Sequence, residues 1–228
     1  MQDGDMEQPA ACLFDLDGLL LDTEPLHAEA WQRAASHFGR RLTTAELMSL
    51  RGRRRFDCAD QVLSWINAAG IDAPAREELL AVRQPIAEAL LVKAQPMPGA
   101  PELVTRCHQL GLPMALATSS SRSAVDLKAS PHPWLQLIQV RVHGDDPELR
   151  QGKPAPDVFL LAAQRLGVRI SACWAFEDSP AGAQAACAAG CTVHILPPKD
   201  LSPEERLQAY PGVGRFLLSL EDVVKQLQ

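Results

Sequence analysis

The sequence has no long apolar run, no pattern typical of a signal peptide and no excess of basic residues. Its apolar stretches all fall short of the ~20 residues of a membrane-spanning helix, and the N-terminal MQDGDMEQP is acidic. The 22 Lys and Arg residues stand against 28 Asp and Glu residues, so the net charge is −6. Such a charge disfavours wholesale binding to nucleic acid or to acidic membranes. We therefore expect a soluble, cytoplasmic monomer that binds neither nucleic acid nor membrane.

The cysteines also lack a pattern. None of the six stands in a CxxC pair, and they are scattered at Cys12, Cys58, Cys107, Cys173, Cys187 and Cys191. This spacing argues against a disulfide framework and indicates buried thiols in a reducing compartment. Cys187 and Cys191 are four residues apart, but two thiols without further His or Cys neighbours make a poor zinc site.

The composition is that of an ordinary globular protein, with 46% hydrophobic and 22% charged residues. Four short apolar runs are typical of buried parallel strands, at 10–14, 112–117, 172–176 and 191–196, and a weaker fifth lies near 139–143. Helical patterns that end on Gly111, Gly167 and Gly190 alternate with these runs. This alternation over 94–228 predicts a doubly wound α/β sheet.

The segment 23–93 interrupts that alternation. It contains helical patterns at 25–38, 44–50, 58–69 and 74–92 and no convincing strand. The simplest explanation is an all-helical cap subdomain, 23–93, inserted after the first strand of an α/β core that comprises 1–22 and 94–228. Prolines and a glycine at 23–25 and 95–99 mark the two connections, which we expect to act as hinges when the cap closes.

Polar residues follow three of the predicted strands, at the edge where ligands bind in such sheets. They are Asp15 and Asp17, then Thr118, Ser119 and Ser120, then Glu177 and Asp178, with Lys153 in the segment GKPAPD. Uncompensated carboxylates at the end of a core strand are costly, so the acids need a cation. A few carboxylates that share a site with phosphate oxygens are the usual ligands of protein-bound Mg²⁺.

Together these residue types predict phosphoryl transfer. Asp15 would attack phosphorus and form an aspartyl-phosphate, and Asp17 would protonate the leaving oxygen and later activate water. The hydroxyl of Thr118 and the backbone at Ser119 would hold the phosphate, while Lys153 would offset its negative charge. The candidate Mg²⁺ ligands are Asp15, Asp17 and Asp178.

Four motifs, DLDGLLLDTE, ATSS, GKPAPD and FEDSPAG, give the sequence a family resemblance over about 12–196. Their order and spacing resemble those of the haloacid dehalogenase-like phosphohydrolases, in the branch with a helical cap after the first motif. The resemblance implies Asp15 as nucleophile and Asp17 as acid/base whose backbone carbonyl also meets Mg²⁺. It further implies Thr118 and Lys153 as phosphate-binding residues and Asp178 as a metal ligand. Glu177 would then be a second-sphere or water-mediated partner of the metal.

Longer phrases resemble one subgroup of that branch. LATSSSRSAVDLKAS and GDDPELRQGKPAPDVFLLAA are similar to sequences of the subgroup that contains pseudouridine-5′-phosphatase and the plant and fungal glycerol-phosphate phosphatases. This resemblance implies a Mg²⁺-dependent phosphatase of a small phosphorylated sugar, polyol or nucleoside.

The cap offers few residues for comparison. His27 and Trp31 are four apart on its first helix and either face the site or pack internally; family members with a histidine at the position of His27 often use it near the two aspartates. The run RGRRR, 51–55, is either a solvated helix end or supplies Arg55 to a distal group of the substrate, as the matching arginine does in β-phosphoglucomutase. Asp22 more simply caps or precedes the first cap helix than joins the chemistry.

Three alternatives fit the sequence less well. A phosphosugar mutase of the β-phosphoglucomutase kind has a lysine and an asparagine after its second-motif serine, where this chain has Ser121 and Arg122. A receiver-like signalling module is a much shorter chain and has no reason for an inserted cap. A haloacid dehalogenase needs no Mg²⁺ acid pair, which would leave Asp17 without a role.

Overall fold

The centre of the molecule is a five-stranded sheet in which every strand is parallel to its neighbours. In the computed structural model, which describes residues 8–199, 201–213 and 215–227, the strands are β1 (Ala11–Phe14), β2 (Met114–Ala117), β3 (Val140–Val142), β4 (Cys173–Glu177) and β5 (Thr192–Ile195). Their order across the sheet is β3-β2-β1-β4-β5. All five coincide with the predicted apolar runs. The strand order reverses between β1 and β4, which places a binding crevice at their carboxyl ends.

Some of the helices cover the two faces of this sheet, and others lie, along the chain, between its first strand and the rest of the core. Their bounds are α1 (Glu24–His37), α2 (Thr44–Ser49), α3 (Arg55–Ala68), α4 (Arg76–Leu91), α5 (Ala100–Gln109), α6 (Arg122–Ala129), α7 (Asp157–Leu166), α8 (Pro180–Ala189), α9 (Pro203–Ala209) and α10 (Leu220–Gln226). As predicted, α7 and α8 end on Gly167 and Gly190, whose φ angles are 70° and 91°. None of the helices in the described ranges is long and apolar enough to cross a bilayer.

Successive strand residues point to opposite faces of the sheet, as the two-residue period requires. Cys12 and Phe14 of β1 join a hydrophobic cluster with residues of α5, α6 and α10. Ala11 and Leu13 join a second cluster with residues of α7 and α8. Helices therefore cover both faces, which makes the core the doubly wound α/β sheet that the sequence predicts.

Residues between β1 and α5 form the four helices α1 to α4 and no strand. Their apolar side chains build a cluster of their own, with Trp31, Val62, Ile66 and Leu79 among its buried members. We call the segment 23–93 the cap, and the rest of the chain the core; these bounds stay those of the sequence prediction. The cap therefore has a hydrophobic core of its own.

The two connections between cap and core run side by side. The backbone N–H of Asp22 donates to the carbonyl of Gln95 at 2.8 Å, and the N–H of Met97 donates to the carbonyl of Leu20 at 3.0 Å. Both connections thus lie next to the end of β1, where the first two candidate aspartates are.

Candidate active site

The polar residues that follow β1, β2 and β4 meet in one cavity between core and cap. Its volume is about 1010 Å³. The core lines it with Asp15, Asp17, Thr118, Ser119 and Asp178, among others, and the cap lines it with residues that include His27, Arg55 and Arg83. The structure therefore brings the predicted strand-end residues together and places the cap over them.

Lys153 joins Asp15 to Glu177 beneath the cavity floor. Its ammonium donates to Asp15 Oδ1 and to Glu177 Oε1, each at 2.5 Å, and all three side chains are buried. Burial raises the pKa of Asp15 to about 8, although Lys153 opposes the rise. Burial alone would lower the pKa of Lys153, but the two carboxylates hold it above its ordinary value. The three groups form one charge-compensated unit.

Glu177 holds that unit to the backbone. Its second oxygen accepts hydrogen bonds from the N–H groups of Asp178 and Ser179, at 3.1 and 3.3 Å, and from the Ser179 hydroxyl at 3.1 Å. A Cβ at Gly182 would lie 1.9 Å from Glu177 Oε1, so only glycine leaves room for the carboxylate there. Glu177 is thus a direct partner of Lys153.

Three buried acids are spaced as ligands of one metal ion. Oxygen atoms of Asp15, Glu177 and Asp178 all lie within 4.8 Å of one another. Asp178 Oδ1 is buried and has no hydrogen-bond partner among the described residues. Burial, reinforced by the nearby Glu24 carboxylate, raises the pKa of Asp178 well above its ordinary value. An unpartnered buried oxygen among crowded acids fits a bound cation.

Gly18 lets the chain turn past this cluster. Its φ is 83°, a conformation that side chains other than glycine rarely adopt. A Cβ at Gly18 would also lie 2.2 Å from Asp178 Oδ2. The glycine of DLDG therefore serves both the turn and the close approach of β1 and β4 residues.

The carboxylate of Asp17 points to a different set of partners from that of Asp15. Thr23 and Ser120 donate their hydroxyls to it at 2.7 Å each, and His27 Nε2 lies 3.1 Å from Oδ1. Lys128 donates to both oxygens at 2.6 Å. Burial acts to raise the pKa of Asp17, but Lys128 and His27 outweigh it and hold the pKa well below its ordinary value. The predicted metal contact of Asp17 was through its backbone carbonyl, and it stays a prediction.

The site residues that the sequence reasoning missed include Arg83 of the cap and the buried Lys128. Lys128 lies on α6, where Val125 and Lys128 are the buried positions. The signal is a lysine at a helix position where the periodicity calls for an apolar residue.

The loop after β2 supplies hydroxyl and backbone groups to the cavity. Thr118 Oγ1 accepts a hydrogen bond from the N–H of Ser120 at 3.1 Å. Ser119 donates its hydroxyl to the carbonyl of Gly52 in the cap at 2.9 Å. Ser121, whose hydroxyl accepts from the N–H of Ala124, caps α6. Thr118 is therefore not the helix cap.

The cap presents His27 to the site, whereas Trp31 packs in the hydrophobic cluster of the cap and only borders the cavity. His27 Nδ1 lies 2.9 Å from Arg83 Nη2, on the ring edge opposite Asp17. Trp31 is buried, and the Arg83 guanidinium lies 4.5 Å from the centre of its ring. Burial lowers the pKa of Arg83 to about 10. Arg55 lines the cavity and donates to Gln84 Oε1 at 2.9 Å.

Arg51 corrects the interpretation of RGRRR as a solvated helix end. Its guanidinium donates to Glu24 at 2.9 Å and to Asp178 Oδ2 at 3.3 Å, so it ties the cap to the candidate metal site. Burial raises the pKa of Glu24 to about 7, against the opposing effect of Arg51. Asp22 is exposed and precedes α1, whose N-terminal flanking residue is Thr23.

Comparison with known proteins identifies the class. The model of the haloacid dehalogenase-like hydrolase family matches residues 9–190, so the chain belongs to that family. A "Probable pseudouridine-5'-phosphatase" of Drosophila melanogaster is 37% identical over 222 residues, which cover 92% of this chain and 90% of the relative. "(DL)-glycerol-3-phosphatase 2" of Arabidopsis thaliana is 35% identical over 190 residues, which cover 81% and 78% respectively.

Solved structures give the same fold. A haloacid dehalogenase family hydrolase from Deinococcus radiodurans R1, crystallised with bound phosphate and sodium, is 28% identical and has a TM-score of 0.74. The match covers 97% of this chain and 99% of that one. With its phosphatase relatives, the family makes this chain an enzyme, in the class of phosphoric monoester hydrolases.

Proposed function

We propose that the enzyme is a Mg²⁺-dependent phosphatase that hydrolyses a small phosphorylated sugar, polyol or nucleoside through an aspartyl-phosphate on Asp15. The observation that carries this proposal is the setting of Asp15. It is buried at the end of β1, 2.5 Å from Lys153, beside the unpartnered oxygen of Asp178. A nucleophile, a fixed cation and an unpartnered oxygen that could bind a metal thus lie together at the floor of the cavity.

Asp15 opens the reaction by attacking phosphorus, and the bond from phosphorus to the leaving oxygen breaks. Lys153 and Glu177 hold Asp15 in place, and Thr118 and Ser119 hold the phosphate oxygens through hydroxyl and backbone groups. Mg²⁺, held by Asp15, Asp178 and the backbone carbonyl of Asp17, would neutralise phosphate charge when bound.

Asp17 moves the protons. Because Lys128 and His27 hold the pKa of Asp17 well below its ordinary value, Asp17 must first take up a proton with the bound substrate, and it gives that proton to the leaving oxygen. It later takes one from the water that attacks the aspartyl-phosphate, which releases inorganic phosphate and restores Asp15. His27 fixes Asp17 from the cap, and Arg55, which lines the cavity, would meet a distal group of the substrate.

The size and lining of the cavity support a small metabolite as substrate. About 1010 Å³ is ample for a phosphorylated polyol or nucleoside, and the two relatives are named for glycerol 3-phosphate and pseudouridine 5′-phosphate. A cytoplasmic monomer without nucleic-acid or membrane partners is part of the same proposal.

Phosphate release from a panel of phosphorylated metabolites tests the proposal. The purified protein with Mg²⁺ should hydrolyse some members of a panel that includes glycerol 3-phosphate, pseudouridine 5′-phosphate and hexose phosphates, compared by kcat/KM. Asp15→Asn should lower activity by on the order of 10⁴-fold or more, because the nucleophile is lost. Asp60→Asn, an exposed acid on the cap surface, is the matched control.

Two outcomes would contradict the proposal. Full activity of Asp15→Asn would exclude the aspartyl-phosphate. Interconversion of glucose phosphates in the presence of a bisphosphate primer, without net phosphate release, would favour the mutase instead.

A further inference from the structure

Lys128 is a second buried lysine at the site, and the steps above give it no task. Its side chain has no exposed surface, and lysine is almost never fully buried unless it is paired. Its ammonium donates to both oxygens of Asp17 at 2.6 Å and to the Ser120 hydroxyl at 2.8 Å. Those three hydrogen bonds use all three of its protons, so the side chain is fixed in position and direction.

Each of the two buried lysines binds one of the two aspartates. Lys153, from the segment before α7, serves Asp15 and Glu177. Lys128, from α6, serves Asp17 and Ser120. Each aspartate has its own fixed cation, so Asp17 keeps a partner that does not depend on the state of Asp15.

The partners of Asp17 come from two parts of the molecule. Thr23 and His27 lie at the start of the cap, and they would leave Asp17 if the cap swung away on its connections. Ser120 and Lys128 lie in the core, on the loop after β2 and on α6. The core contacts therefore persist whatever the position of the cap.

We propose that Lys128 is a positioning residue that, with Ser120, holds Asp17 from the core side, so that Asp17 serves the breakdown of the aspartyl-phosphate with the cap open as well as closed. The inference rests on the proposed phosphatase mechanism. In that step a water oxygen bonds to phosphorus, and the bond from phosphorus to the Asp15 oxygen breaks, its electron pair returning to the carboxylate. The water proton goes to Asp17, which must already face the phosphoryl group.

Lys128→Met tests this role, because methionine keeps an unbranched side chain and removes the charge. The substrate is p-nitrophenyl phosphate with Mg²⁺, since nitrophenolate leaves without protonation and formation of the aspartyl-phosphate then needs no acid. We expect a burst that approaches one nitrophenolate per enzyme, followed by steady-state turnover about 10- to 100-fold slower than in the wild type. Lys128→Arg should restore part of the rate, and Lys225→Met, at an exposed lysine of α10, should match the wild type.

Two results would overturn the role of Lys128. One is wild-type steady-state turnover in Lys128→Met; the other is an equal loss of burst and steady-state rate with an unchanged unfolding temperature. If Lys128→Met does not fold, Ser120→Ala removes the other core contact of Asp17. This variant should also show a burst followed by slower steady-state turnover, with a smaller loss of rate. A wild-type time course in Ser120→Ala would then refute the inference. Failure of the phosphatase mechanism looks different, because Asp15→Asn would then still release phosphate at the wild-type rate.

Discussion

The core and two arginines of the cap handle charge in opposite ways, whereas a third cap arginine, Arg51, is paired with Glu24 and Asp178. In the core, the charged groups at the site are bonded to one another: Lys153 to Asp15 and Glu177, and Lys128 to Asp17. In the cap, Arg83 contacts the ring edge of His27 and the face of Trp31, and Arg55 bonds to the neutral Gln84. The core charges are mutually compensated, whereas these two cap arginines present positive charge to the cavity.

This difference indicates that core and cap contribute to different properties of the enzyme. Compensated charges hold their geometry before any ligand arrives, which is what catalysis by preorganised groups requires. Cationic side chains that bond to neutral groups can still exchange those partners for oxygen atoms of a substrate. We therefore expect core variants to change the rate for every substrate, and cap variants to change which substrates are accepted.

The strongest test of the core is Lys153→Met. The substitution leaves the buried carboxylates of Asp15 and Glu177 without their common cation, and removal of one partner from a buried ion pair costs roughly 3–5 kcal/mol. We expect activity on all substrates to fall by about 10³-fold or more, together with a lower free energy of unfolding in urea. Lys225→Met is the control. Unchanged activity would mean that the buried unit of Asp15, Lys153 and Glu177 is not the catalytic one.

The core part of the site was predictable because strand topology decides it. Parallel strands end at one edge, so Asp15, Thr118 and Asp178 had to meet there once the apolar runs were recognised as strands. Lys153 lies outside the predicted strands, and it was identified by the motif GKPAPD.

Residues fixed by tertiary packing were not predictable. The apolar position of Lys128 on α6 indicates that the side chain is buried, but its partner Asp17 is 111 residues away, so the pairing itself could not be predicted. The bounds of α6, α9 and α10 were likewise not given by the patterns. In the cap, His27 and Trp31 share one helix, and only the packing of α1 against α4, which carries Arg83, decides which of them faces Asp17.

Arg83→Met tests the cap half of the comparison. Because a hydrogen bond to a charged group contributes about 1.5–3 kcal/mol, kcat/KM for the preferred metabolite should fall by about 10- to 100-fold. Methyl phosphate has the same kind of alkoxide leaving group but no distal groups, so its kcat/KM should fall by much less. Equal losses for both substrates would show that Arg83 acts on Asp17 through His27, and the division between core and cap would fail.

One titratable side chain in the core is buried without a compensating charge. His194 on β5 is buried, with ring centres 4.7 Å from Trp174 and 4.9 Å from Phe176. Neither ring nitrogen has a hydrogen-bond partner in the described residues. Burial, with a smaller effect of Arg215, lowers the pKa of His194 to about 3. The folded core therefore holds this ring neutral, whereas the unfolded chain protonates it near its ordinary pKa of about 6.5.

His194→Phe should therefore stabilise the protein in acid, which is the smallest effect expected here. Between pH 6.5 and 3 the unfolded state binds the extra proton, so His194 lowers the free energy of unfolding by about 1.4 kcal/mol for each pH unit below 6.5. Phenylalanine keeps the stack and forfeits no hydrogen bond. Relative to the wild type, the variant should gain about 2 kcal/mol more at pH 5 than at pH 7.5 in urea unfolding. His108→Gln, at an exposed histidine of α5, should show no such difference. An equal effect of His194→Phe at both pH values would mean that the core tolerates the charged ring, and that compensation of charge is confined to the site.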